Sequence, residues 1–264
     1  MANQYLSEEL GAPAVGEVAV VSGAEARHAV TVSRLAVGES VRVGNGGGLV
    51  ARGTVTAVAP SEFRFVVDAI ERVERPSPQI WLAQALAKGD RAELAIQAAT
   101  ELGVDGVVPW AASRSVSRWE GAKLAKGRER WAAVVREATK QSARAWLPEV
   151  SPLVGTRQLA GLAETSLVVV LDPLAEAALT GLPLGEAPLR EPRLREPRLR
   201  EPQEPRPSRD IVLVVGPEGG IAPGELDLLY AAGAVGARLG GSILRTSTAG
   251  PAAIAVLSAK LGRW

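Results

Sequence analysis

Ile211-Val212-Leu213-Val214-Val215 runs straight into Gly216-Pro217-Glu218-Gly219-Gly220, and Ile221-Ala222-Pro223 then opens a segment with Glu225 in its first turn. The apolar run is β-branched and of strand length, which suits a buried strand. Proline beside an acidic first turn reads as a helix start. The glycines therefore lie between the end of a strand and the start of a helix. There the backbone N–H groups can approach a ligand because no side chain intervenes. The loop lacks the Lys and Ser/Thr of a nucleoside-triphosphate loop, which disfavours phosphate chemistry. Turn formation alone would also account for the glycines.

A second loop of the same kind follows: Leu239-Gly240-Gly241-Ser242-Ile243-Leu244-Arg245, then Thr246-Ser247-Thr248-Ala249-Gly250. A third strand, Ser166–Leu171, ends in Asp172-Pro173. Strand ends of this kind on one edge of a parallel sheet form the crevice where α/β proteins bind ligands. Ile243 and Leu244 would give that crevice an apolar wall suited to a purine face.

Outward from this region, strands and helices alternate from Gln79 onward. Ile80–Ala87 reads as a buried strand. Asp90 is placed to cap a helix with Glu93 as capping-box partner, Leu94, Ala98 and Leu102 share one face, and Gly103 ends it. Val104–Trp110 is the next strand, and a long basic helix follows with Leu124, Trp131, Val135, Ala138 and Ser142 as its stripe. Helix Pro223–Ala232, a short strand around Ala234–Leu239 and a helix from Thr248 to Leu261 complete the pattern. Such alternation predicts an α/β fold, a mostly parallel sheet with helices on both faces.

Residues 1–75 differ. Glu17–Val21, Ser40–Val43, Gly53–Val58 and Phe63–Asp68 alternate apolar and polar residues, and Gly44-Asn45-Gly46-Gly47-Gly48 reads as a hairpin turn. This predicts a small β barrel or sandwich, with Arg75-Pro76-Ser77-Pro78 as a linker to a second domain over 76–264. Within 181–209, the repeat LREPR-LREPR-LREPQ of Leu189–Gln203 places a proline in every five residues. That excludes a helix or central strand and reads as a low-complexity loop insertion.

Composition excludes several classes. The 264 residues contain no cysteine and one histidine, so a disulfide framework, a thiolate site and a multi-His metal centre are excluded, and no metal is expected. Any Ser-His triad would have to use His28. No apolar run approaches the roughly 18–20 residues of a membrane span. The start, MANQYLSEEL, has no signal-peptide pattern, which makes the cytoplasm the default location. Overall charge is balanced, 30 Lys+Arg against 29 Asp+Glu, but Ser113–Arg144 carries nine basic residues against three acidic ones, a local excess of +6. Two readings stand: a solvated helix face, or a footprint for a phosphate backbone through residues such as Arg128 and Lys140.

The ordered motifs resemble a known family. Besides GPEGG at 216–220 and the LGxxILRTxTA pattern at 239–249, there are Lys88-Gly89-Asp90 with Ala99-Thr100-Glu101-Leu102-Gly103-Val104. Further matches are Ser113-Arg114-Ser115, Trp119, Arg130-Trp131, Gln141-Ser142 and Pro148-Glu149-Val150, with His28, Arg34-Leu35, Gly38 and Gly46 near the start. Together they resemble the 16S ribosomal RNA uridine-N3 methyltransferases of the knotted SPOUT class. Ser247 departs from the pattern, standing where many members carry glutamate.

The resemblance implies a trefoil-knotted sheet domain behind a PUA-like RNA-binding β domain. It implies S-adenosyl-L-methionine as methyl donor, 16S RNA or the small ribosomal subunit as partner, and a homodimer with sites at the interface. The cofactor would rest on Leu171, Gly216, Gly220, Leu239, Gly240, Ile243 and Leu244, with Glu218 either touching it or bracing the loop. Arg114 and Arg245 are the catalytic candidates, stabilising the uracil anion or gripping phosphate, unless they serve as ion-pair partners. His28, Arg34, Lys88, Arg128 and Lys140 are the RNA-binding candidates. Another SPOUT enzyme, acting on ribose 2′-O, or a non-catalytic RNA-binding module are the alternatives.

Overall fold

A computed structural model describes residues 3–184 and 209–264. The LREPR repeat lies outside the described residues. The chain forms two compact units, one of residues 1–76 with 129–149, the other of 77–128 with 150–264.

The first unit contains strand β1 (Asn3–Leu6), β2 (Val18–Ser22), a short helix α1 (Gly23–Arg27), β3 (Ser40–Gly44), β4 (Leu49–Ala59) and β5 (Glu62–Arg72). They form one sheet in the order β1-β3-β4-β5-β2, antiparallel except for the parallel pair β1–β3. Period-2 alternation decides which residues face inward: Phe63, Phe65 and Val67 from β5 join Val41 and Val43 from β3 in the core, with Tyr5 and Phe63 ring centroids 5.4 Å apart. The Gly44–Gly48 run makes the β3–β4 turn, where Asn45 Oδ1 accepts the N–H groups of Gly47 at 2.8 Å and Leu49 at 3.1 Å. Gly48 is required there: its φ is +89°, and a Cβ would lie 2.6 Å from the Trp146 ring. β1 lay outside the expected strands, because four residues at a chain start show too few alternations to read.

The second unit holds β6 (Ile80–Ala85), α2 (Arg91–Glu101), β7 (Gly106–Trp110) and the first turns of α3 (Ala122–Gln141), whose remainder belongs to the first unit. Then come β8 (Glu149–Val150), α4 (Thr156–Gly161), β9 (Leu167–Leu171), β10 (Ile211–Val215), α5 (Pro223–Ala231), β11 (Val235–Ala237) and α6 (Thr246–Lys260). The sheet order is β11-β9-β10-β6-β7-β8, and the pairings from β11 through β7 are parallel. One face, with Ala83, Ala85, Val168, Val170, Val212 and Val214, packs on Leu159 of α4 and Leu229 of α5. The alternate residues face α6, where a Cβ on Gly250 would stand 2.8 Å from Leu82. Both faces are covered, which is why β7 and β10 are buried along their whole length.

Three local expectations are corrected. The buried side of α2 is Ala92, Ala95, Ile96 and Ala99, while Leu94 is 49% exposed. α2 packs on α6, and small side chains allow that close approach where leucines would not. Asp90 occupies the N-cap position but makes no capping bond; its φ of −96° and ψ of 6° are not the extended conformation from which a cap side chain reaches back. Leu124 is 43% exposed, so the apolar stripe of α3 is Trp131, Val135 and Ala138 with Thr139.

Candidate active site

Because β6, β7, β9, β10 and β11 run parallel, the segments that follow them emerge at one edge of the sheet. The loop after β10 is held at both ends. The Gly216 carbonyl accepts a hydrogen bond from Thr246 Oγ1 at 2.8 Å, and Thr246 Oγ1 in turn accepts from Nε2 of Gln84 at 2.9 Å. Gln84 is fully buried at the end of β6. Gly220 turns with φ +71°, its N–H on the Pro217 carbonyl at 2.9 Å. A Cβ on Gly216 would lie 2.7 Å from Ile221, so glycine is needed for the loop to fold back on itself.

Glu218 braces this loop against the segment after β6. Its Oε1 accepts from the Lys88 N–H at 3.1 Å and from Arg91 Nη1 at 2.8 Å. Burial pushes its carboxyl up, but the Arg91 hydrogen bond, backbone N–H bonds and the Arg91 charge outweigh that and hold it below the ordinary carboxylate value. Lys88 thus contributes its backbone here, while its side chain stands at the exposed surface.

Arg114 follows β7, and its Nη1 donates to the carbonyl of Gly219 at 3.0 Å. This brings a catalytic candidate directly onto the glycine loop. Arg118 stiffens the same segment through its bonds to the carbonyls of Ala112 at 3.3 Å and Ser113 at 3.1 Å. Arg245 sits at the N-cap of α6 with an exposed side chain. Before it, Gly240 turns with φ +69°, Ile243 is 81% exposed, and Leu239 and Leu244 are half-buried. At the end of β9, Leu171 is half-buried, and Asp172 accepts from the Leu174 N–H at 2.9 Å and from the Tyr230 hydroxyl at 3.2 Å. Burial, with the charge and hydrogen bond of Asp172, pushes the Tyr230 hydroxyl up to about 12.

Sequence reasoning missed the role of Glu225. It was legible only as an acidic residue in the first turn of a helix, yet its carboxylate accepts from Ser113, Thr156 and the Ala222 N–H. Burial pushes its carboxyl up, but the Thr156 and Ser113 hydrogen bonds more than offset this and lower it overall.

The expected RNA contacts separate. His28 and Arg34 lie in the first unit, both exposed, with Arg34 at φ +56°. Arg128 is exposed, its Nε on the Val150 carbonyl at 2.9 Å. Lys140 is a correction: its side chain is only 8% exposed, and its ammonium pairs with Glu25 at 3.2 Å and Glu137 at 2.9 Å. A cation neutralised inside the protein does not serve a phosphate, so Lys140 leaves the list of RNA-binding candidates. Arg136 likewise pairs with Glu8 and with the Leu6 carbonyl. Among the described residues no helix is long and apolar enough to cross a membrane, and no group of three or more His, Asp or Glu side chains is placed to hold a metal ion.

A parallel α/β sheet with glycine loops at one edge, in a chain that also carries a β unit, defines a class, and the chain belongs to it: the RNA methyltransferase family. The model of the RNA methyltransferase domain matches residues 74–258, and that of the RNA methyltransferase PUA domain matches residues 21–68. Within the family, the chain is 38% identical over 257 residues to the ribosomal RNA small subunit methyltransferase E of Mycobacterium bovis, covering 96% of this chain and 90% of that protein. The protein of the same name from Bacillus subtilis is 28% identical over 249 residues, covering 90% of this chain and 88% of the relative. The crystal structure of a ribosomal RNA small subunit methyltransferase E from Neisseria gonorrhoeae, bound to S-adenosyl methionine, superposes with a TM-score of 0.80 at 26% identity, covering 98% of each chain.

Proposed function

We propose that this protein methylates N3 of a uridine in 16S ribosomal RNA, using S-adenosyl-L-methionine. The observation that carries the proposal is the Arg114 guanidinium seated on the Gly219 carbonyl, because it puts a fixed cation at a backbone-lined loop of the ligand-binding edge. The names of the relatives support the substrate, and the Neisseria structure supports the methyl donor. The residues present suit that donor. Among the described residues, a Cβ on Gly240 or Gly241 would meet nothing within 4 Å, so the second loop offers open backbone. Leu171, Gly216, Gly220, Leu239, Gly240, Ile243 and Leu244 would hold it.

The donor supplies an electrophilic methyl group on a sulfonium. The protein's part is to align the base and favour loss of its N3 proton. Arg114 and Arg245 do this as cations, since a fixed positive charge lowers the cost of the uracil anion. Glu218 holds the loop rather than reacting. His28, Arg34 and Arg128 bind RNA phosphates, and the side chain of Lys88 joins them. A homodimer, a knotted C-terminal segment and a cytoplasmic location belong to the same reading; the first two rest on the resemblance in sequence.

The test is incubation of small ribosomal subunits, and separately of 16S RNA, with the protein and the methyl donor, followed by nucleoside mass spectrometry. The expected product is 3-methyluridine. A methyl on the ribose would overturn the base-directed reading, and donor binding with no transfer to either substrate would overturn the assignment of an RNA-modifying activity.

A further inference from the structure

We infer that Glu225 is a positioning residue for the reaction, clamping the Ser113-Arg114 segment onto the glycine loop and so fixing where the Arg114 guanidinium stands. The inference rests on the proposed role of Arg114. A glutamate in the first turn of a helix needs only one bond, to the N-cap N–H, and Glu225 makes that one to Ala222 at 3.3 Å. It makes three more. Its Oε1 accepts from the Ser113 N–H at 2.9 Å and the Thr156 hydroxyl at 2.7 Å, and its Oε2 accepts from the Ser113 hydroxyl at 2.8 Å. Thr156 Oγ1 accepts in turn from Nε1 of the buried Trp110 at 3.2 Å.

An ionised carboxylate has about four acceptor positions, and all four are filled by donors. Two of them come from Ser113, the residue before Arg114. On the other side of Ser113, Arg114 reaches the Gly219 carbonyl, three residues before Ala222. The segment is therefore tied to the loop at two neighbouring points, one through Glu225 and one through Arg114 itself. Removing the first leaves Arg114 with its Gly219 bond but with a looser base. Thr156 supplies an internal control, since it bonds the same carboxylate but leads to α4 rather than to Arg114.

The experiment compares Ser113→Ala, Thr156→Val and Glu225→Gln, each alone and in an Arg114→Ala background. It measures kcat for methyl transfer, the Kd for S-adenosylmethionine by calorimetry, and Tm. Arg114→Lys replaces the alanine background if the latter is too slow to measure. Ser113→Ala should lower kcat about 5-fold, the worth of roughly one hydrogen bond, with the donor Kd little changed. Thr156→Val should lower Tm and slow transfer less than Ser113→Ala, because Glu225 keeps both of its bonds to Ser113. Glu225→Gln places donor against donor and should slow transfer more than Ser113→Ala. In the Arg114→Ala background neither Ser113→Ala nor Glu225→Gln should slow the reaction further, because both act through the missing guanidinium. Losses that add in full in that background, or an unchanged kcat for Ser113→Ala, would overturn the inference while leaving Arg114 in place. An unchanged kcat for Arg114→Ala alone would overturn the role of Arg114 and this inference with it.

Discussion

Thr246 and Gly216 are 30 residues apart in sequence and joined by a 2.8 Å hydrogen bond from the threonine hydroxyl to the glycine carbonyl. The same hydroxyl accepts from Gln84, so the start of α6, the loop after β10 and the end of β6 share one buried oxygen. Thr246→Val keeps the shape and removes both bonds, stranding a buried amide donor and a partly buried carbonyl. The expected cost is about 2 kcal/mol in stability, with weaker S-adenosylmethionine binding, while Thr246→Ser should restore both. Thermal unfolding and titration calorimetry on the three proteins check this.

Gly220→Val should weaken donor binding at least tenfold without unfolding the protein. The cause is backbone conformation: among the described residues the only atom near a Cβ there is Arg114 Nη1 at 4.0 Å, but a β-branched residue does not tolerate φ +71°. Circular dichroism of the variant beside its calorimetric Kd separates a distorted loop from a lost fold.

Arg128 and Lys140 should behave in opposite ways. Lys140→Met leaves Glu25, itself only 12% exposed, without its cation and should cost about 3 kcal/mol of stability. Arg128→Ala should leave Tm close to the parent value and reduce the salt slope of RNA binding by about 1. Denaturant unfolding and RNA binding across a salt series measure the two effects.

Acid should weaken the fold partly through Glu225. Its folded-state value lies below the ordinary 4.5, so the ionised carboxylate stabilises the protein above that pH, and the contribution is lost as the pH falls below it. Glu225→Gln should lower Tm at neutral pH and flatten the decline of Tm on the acid side, as a pH series of melting curves would show.

What was legible in the sequence followed from local chemistry. β10 is Ile211–Val215 as read, because a β-branched run stopped by glycines leaves little choice. The α5 start is marked by Pro223, and the end of α2 by Gly103 at φ +100°. What stayed hidden depended on partners far along the chain. Glu225 meets Ser113 across 112 residues and Thr156 across 69, and no periodicity announces such pairs. Lys140 looked like a surface charge because its partner Glu25 lies 115 residues away. The buried face of α2 was misread because large apolar residues signal a core, whereas the α2–α6 contact selects alanine.

The saturation of Glu225 bears on where the proton goes. A group with every acceptor position occupied and its carboxyl held below the ordinary value is a poor base, and Glu218, tied to Arg91, is little better. Tyr230, pushed up to about 12, keeps its hydrogen at neutral pH. None of the three has a basicity suited to taking the hydrogen of uracil N3; if that hydrogen leaves to water, the nucleobase reacts as its preformed anion. Turnover should then climb with pH through the neutral range and level off only where uracil itself ionises. A bell-shaped or carboxylate-limited profile would assign the deprotonation to a side chain instead.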